Sequence, residues 1–168
     1  MVQRSRFTAE GSKFPVQGSR FKVPGPKGQN SLLVCAMATF KRFEDIGAWQ
    51  RARETNRRVY VITKTCPFAH DPSLRNQIRR SSASIMANIA EGFGRGGNRE
   101  FNQFLGYARG SAAELKSHFY VALDAELIKE TDFREIYALT SQAEAQISGL
   151  INYLATSEKR GPRLRSQP

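Results

Sequence analysis

The chain has 168 residues, 40% of them hydrophobic and 24% charged, with a formal net charge of +11. That length accommodates one domain with its own core but not two, and the apolar share is that of an ordinary soluble globular protein. No apolar run approaches the roughly 18 residues a bilayer crossing takes, and Cys35 and Cys66 are too few for a disulfide framework, so both are expected as reduced thiols in the cytoplasm.

Residues 1–39 read as a basic, disordered extension, because Pro15, Gly18, Pro24, Gly25, Pro26 and Gly28 punctuate a stretch without hydrophobic period. The run Leu32-Leu33-Val34-Cys35 is too short for a secretory signal, and a lipidated Cys35 is the lesser reading. Met37 is a simpler natural start, which would make residues 1–36 upstream sequence. A folded domain is expected over residues 40–157, followed by a basic disordered tail over 158–168.

Helical periodicity begins with the folded part. A first helix is predicted over Glu44–Thr63, with Trp49, Ala52, Asn56 and Val59 on its inner side and Pro67 ending it. Asp71-Pro72 supplies an N-cap and a proline at the first helical position. The second helix then carries Leu74, Ile78, Ser81, Ile85 and Asn88, and is expected to stop where Gly92 turns left-handed. Asn98 is expected to cap a third helix, lined by Phe101, Leu105, Ala108, Ala112, Leu115, Phe119 and Ala122. Thr131 is expected to cap a fourth, lined by Ile136, Thr140, Ala143, Ile147, Leu150 and Leu154. Four such helices on loops of roughly six to ten residues imply an all-α, antiparallel up-down-up-down four-helix bundle. The bulk-poor run Ser81, Ser82, Ala83, Ser84 and Ala87 lets another backbone approach, from the same chain or from a second subunit.

Catalytic and metal chemistry find little support. Gly92-Phe93-Gly94-Arg95-Gly96-Gly97 fits G-x-G-x-x-G, yet a dinucleotide fingerprint needs a preceding strand and a helix precedes this one. An interhelical turn is the better reading. Glu114 and His118 lie one turn apart, whereas carboxylate di-metal bundles draw Glu-x-x-His from two helices and add two further glutamates, so no metal and no cofactor are expected. The other histidine is His70, neither cysteine has an activating context, and the chain reads as non-enzymatic. Asn56, Asn88 and Glu91 fall on or beside apolar seams. Leaving them unpaired would cost roughly 1–3 kcal/mol each, so they are expected to bond one another or the glycine turn.

Much of the positive charge lies in the terminal segments, so the folded part is only mildly basic. Within it the stretch from Arg51 to Arg99 is lopsided, with many arginines and few carboxylates. Arg53 and Arg57 sit one turn apart in the first helix, Arg75 and Arg79 likewise in the second, and Arg95 and Arg99 flank the glycine turn. Guanidinium forks suit phosphates and acidic proteins, which makes these six the candidate partner-binding residues; the plainer reading is a solvated face.

Ile78-Arg79-Arg80-Ser81, leading to Asn88-Ile89-Ala90-Glu91-Gly92-Phe93-Gly94-Arg95, resembles the signature of the four helix bundle protein family. Its members are encoded by intervening sequences in bacterial 23S ribosomal RNA genes. Phe43-Glu44-Asp45-Ile46, Trp49, Ala52-Arg53, Phe101-Asn102-Gln103-Phe104-Leu105 and Ser111-Ala112-Ala113-Glu114-Leu115 extend the resemblance over Phe40 to Ala155. The resemblance implies a four-helix bundle assembled as a homopentamer, in a branch without established enzymatic activity. The wider superfamily includes the accessory protein of diversity-generating retroelements, which binds reverse transcriptase and RNA. Residues 1–36, Ser84 and Met86 depart from the family's pattern.

Residues and resemblance together lead to one expectation: an oligomeric bundle that binds RNA or DNA, or a reverse-transcriptase-like or other protein partner, through arginine-rich surfaces. The alternative is a scaffold that docks an acidic protein without binding nucleic acid.

Overall fold

The computed structural model describes residues 40–158; Cys35, Met37, the predicted N-terminal extension and nearly all of the predicted tail lie outside the described residues. Apolar residues spaced three and four apart generate four long helices: α1 (Gly47–Ile62), α2 (Pro72–Gly94), α3 (Asn98–Asp124) and α4 (Glu130–Glu158). Short 3-10 turns at Phe43–Asp45 and Cys66–Ala69 precede α1 and α2. Among the described residues there is no strand. Helix α2 packs on α3 and α3 on α4, while α1 lies against both α2 and α4. The domain is an all-helical four-helix bundle.

Helix α3 buries the seven residues that its spacing names, from Phe101 to Ala122. Helix α4 does the same with Ile136, Thr140, Ala143, Ile147, Leu150 and Leu154. Each large aliphatic side chain so buried contributes about 1.5–3 kcal/mol, which makes these seams the main source of stability. Phe68, in the second short turn, is fully buried as well and anchors the α1–α2 connection to the core.

Helices α1 and α2 depart from the predicted seams by a small rotation. Helix α1 starts at Gly47 rather than Glu44 and buries Ala48, Ala52, Thr55, Val59 and Ile62. Trp49 and Asn56 are therefore displaced to a half-buried flank, with the Trp49 ring edge-on to Phe43 at 5.1 Å. In α2, Ile89 takes the buried place expected of Asn88. Thr55 and Thr140 enter the core without an unpaired hydroxyl, because each donates to the carbonyl four residues back, at 3.0 and 2.7 Å. The flank polar groups also find partners, though not one another. Asn56 Oδ1 accepts from Ser82 Oγ at 2.7 Å, Asn88 Nδ2 donates to the Ser84 carbonyl at 2.9 Å, and Glu91 accepts from Arg95 at 2.8 Å.

The glycine turn also differs from expectation. Gly92 does not end α2; it is helical and buried, and a Cβ there would lie 2.5 Å from Phe104 Cβ and 3.0 Å from Phe101 Cδ2. Its role is to let α2 and α3 touch. The left-handed residue is Gly96, with φ of 75°, in the short connection Arg95-Gly96-Gly97. Gly97 rather than Asn98 occupies the N-cap of α3, and Thr131 lies inside α4, whose first turn carries Glu130 and Asp132. Asp71 caps α2 as its sequence indicates, with Oδ1 accepting from the Leu74 amide at 2.8 Å.

Pro67 does not terminate α1 either. The helix stops at Ile62, and Arg79 of α2 covers its end: Nε donates to Thr63 Oγ1 at 2.8 Å and Nη2 to the Thr63 carbonyl at 3.0 Å. A cation is thereby placed where the unpaired carbonyls of α1 concentrate negative charge. Arg79, expected among solvated or partner-binding groups, thus has an internal role.

Gly92→Ala is expected to lower stability by about 1–3 kcal/mol, overpacking at the Phe104 contact outweighing the better helix propensity of alanine. A urea denaturation midpoint that does not fall would show that α2 and α3 part there freely. Arg79→Ala should cost roughly 1–2 kcal/mol, half-exposure reducing what a charged hydrogen-bond pair is worth, and Arg79→Lys should recover only part. The same denaturation experiment reads both.

Candidate functional site

The Asn56–Ser82 hydrogen bond marks the line along which α1 meets α2. By helical spacing, Arg53, Asn56 and Tyr60 follow that line on α1, and Arg75, Arg79 and Ser82 follow it on α2. Arg53 lies over the Trp49 ring with its guanidinium carbon 5.7 Å from the centroid, and Arg79 lies over Tyr60 at 4.8 Å. Arg57 is exposed beside them on the outer side of α1, and Lys64, in the turn after α1, and Arg80, on α2, are exposed as well. Arg75 is half-buried, and its Nε has no hydrogen-bond partner among the described residues. Four of the six candidate arginines therefore share this flank.

Carboxylates are scarce here. Between Trp49 and Ala90 the sequence contains only Glu54 and Asp71. Glu54 is engaged by Arg51, and Asp71 caps α2. Among the described residues, Arg53, Arg57, Arg75 and Arg79 make no ion pair. The flank between α1 and α4 is the opposite case: Arg58 pairs with Asp132 at 2.9 Å and Glu135 at 2.7 Å. Positive potential is thus left on one side of α1 and cancelled on the other.

Arg95 and Arg99 are placed apart from this group. Arg95 is 16 residues beyond Arg79, about 24 Å of helix rise. Its guanidinium donates to Glu91 and lies 5.3 Å from the Phe104 centroid; the hydrogen bond to Glu91 raises its pKa above the ordinary arginine value. Arg99 is exposed on the first turn of α3. The six candidates form two places, and among the described residues the four on the α1/α2 flank make no ion pair, whereas Arg95 is paired with Glu91.

Sequence reasoning missed two residues of that flank. Tyr60, 41% exposed, could have been found from aromatic and basic residues interleaved at helical spacing. Nothing in the sequence marks Thr63, whose carbonyl and hydroxyl hold Arg79 across a gap of 16 positions.

Elsewhere, Glu114 and His118 approach to 3.4 Å, and no group of three or more His, Cys, Asp or Glu converges among the described residues. No helix among them is long and apolar enough to cross a membrane. Tyr120, Phe133 and Tyr137 form an aromatic group between α3 and α4, where desolvation and then neighbouring Tyr137 push the Tyr120 pKa up. The same pair of helices bounds an open groove of about 570 Å³, lined mainly by Gly106, Gly110, Ala113, Ser141, Ala145 and Ser148.

No curated protein matches the chain. A solved structure from Bacteroides thetaiotaomicron, a protein of unknown function from the S23 ribosomal protein family, has the same fold. The two share 20% identity and a TM-score of 0.57, covering 62% of this chain and 97% of that one. The family model for the 23S rRNA-intervening sequence protein matches residues 44–149, more than half of the chain. The chain belongs to the 23S rRNA-intervening sequence protein family.

Proposed function

We propose that this protein is a non-enzymatic, oligomeric bundle of up-down-up-down topology, acting in the cytoplasm, that binds RNA or DNA, or an enzyme working on it, through the arginine-rich flank of α1 and α2. One observation carries the reading: guanidinium groups line a helix pair whose few carboxylates are already engaged. Such a surface meets a phosphate backbone without first breaking internal ion pairs. Membership in a family named for ribosomal RNA genes agrees with a nucleic-acid partner. The topology is supported by contacts whose partners run in opposite senses along successive helices: Asn56 with Ser82 and Thr63 with Arg79, Ser84 with Ser111 and Gly92 with Phe104, Lys116 with Glu144 and Tyr120 with Phe133.

Self-association has its own support on the α3/α4 side. Gly106 and Gly110, which line the groove, are interior to α3, yet a Cβ built on each would meet nothing within 4 Å. Each costs about 0.5–1 kcal/mol relative to alanine, a penalty that intrachain packing does not explain. A close-packed second copy along the groove would account for it, and repeated around a closed ring it would multiply the basic flank. Five subunits is the number that the resemblance implies.

Binding to a structured RNA should fall steeply with salt, and Arg57→Gln should lower the slope of log affinity against log salt by about 0.7–0.9 without changing the melting temperature. Filter binding across a salt series reads this directly. Salt-independent binding would refute the reading, and an acidic protein captured in place of RNA or DNA would favour the scaffold alternative. For the groove, the sign of a stability change decides. Gly110→Leu should reduce the particle mass in light scattering while helicity is kept; an unchanged mass with a raised melting temperature would mean that the face is merely solvated.

A further inference from the structure

The α1/α2 flank contains a feature that phosphate binding alone does not use. Tyr60 presents a large aromatic ring to solvent, with the Arg79 guanidinium 4.8 Å from its centroid. That guanidinium does not swing freely, because Nε and Nη2 are both committed to Thr63. Its third nitrogen, Nη1, has no partner among the described residues. The held cation and the exposed ring together form a small fixed surface with an unused donor at its edge. Arg57 precedes Tyr60 by one helical turn and Lys64 stands in the turn just past the end of α1, so cations flank the ring on both sides along the chain. The other ring under a guanidinium here, Trp49, is half-buried against Phe43 and offers less open face.

We infer that the Tyr60–Arg79 pair is a stacking platform for an unpaired base, so that the bundle selects single-stranded nucleic acid over duplex. The inference rests on the nucleic-acid reading above and narrows its substrate class. In a duplex every base face is covered by its neighbours, and a flat ring on a convex helix surface reaches only the backbone. An unstacked base can lie on the tyrosine ring while adjacent phosphates meet Arg57 and Lys64. Every base has such a face, so the platform tolerates any sequence. Arg79, though needed to hold α1, then also shapes the ligand surface from beneath.

The test compares a short labelled oligouridylate, an abasic strand with the same number of phosphates, and a blunt RNA duplex, each titrated against the full-length protein by fluorescence anisotropy. Tyr60→Leu should weaken oligouridylate binding roughly five- to a hundredfold, while leaving the abasic strand, the duplex and the salt slope unchanged. Tyr60→Phe should bind oligouridylate as the parent does, since the ring is kept. Equal losses on all three ligands for Tyr60→Leu, or no loss on any, would overturn the platform. If Arg57→Gln still lowers the salt slope in that case, phosphate binding survives without it. If none of the three ligands binds at low salt, both readings fall together.

Discussion

Contact between Gly92 and the Phe101–Phe104 turn governs the geometry of this bundle. Helices α2 and α3 can touch there only because the position has no side chain, as the 2.5 Å approach that a Cβ would make to Phe104 shows. With that contact set and the connection closed through Gly96, Ile78, Ile85 and Ile89 of α2 enter one core with Leu105, Ala112 and Leu115 of α3. The rotation of α2 about its axis then follows, since moving Gly92 outward would drag Ile89 out of the core. Arg79 and Arg75 are carried on the same rigid helix to the side that meets α1. The site is thus positioned from the far end of the helix, by packing rather than by its own chemistry.

Legibility in the sequence followed how sharply each helix is marked. In helices α3 and α4 large apolar residues recur at helical spacing on both sides of the small ones, so their buried stripes could be read residue by residue. Helix α1 could not, because Ala48 and Thr55 are small or polar and carry little signal, whereas Trp49 attracts attention that its flank position does not justify. A glycine near a helix end normally argues for a left-handed stop. Gly92 has another reason to exist, and only the location of Phe104 reveals it. The arginine spacing in the site was visible, but the bonds that organise Arg79 join residues of two helices and leave no trace in either one alone.

How an arginine is held decides what it can still do. Arg51, Arg58, Arg95 and Arg134 are positioned by carboxylates, and each pair nearly cancels the field it would otherwise project. Arg53 and Arg79 are positioned by neutral groups: an indole ring in one case, a phenol ring with a threonine hydroxyl and carbonyl in the other. Neutral partners restrict the side chain while leaving its full charge uncompensated. A ligand phosphate arriving there displaces no competing anion and finds part of the side-chain entropy already lost in folding. At physiological ionic strength charges more than about 8 Å apart hardly sense one another. The carboxylate one turn before Arg57, Glu54, falls within that range and is already engaged by Arg51. The α1/α2 flank combines order with retained charge, and the turn bearing Arg95 has only the order.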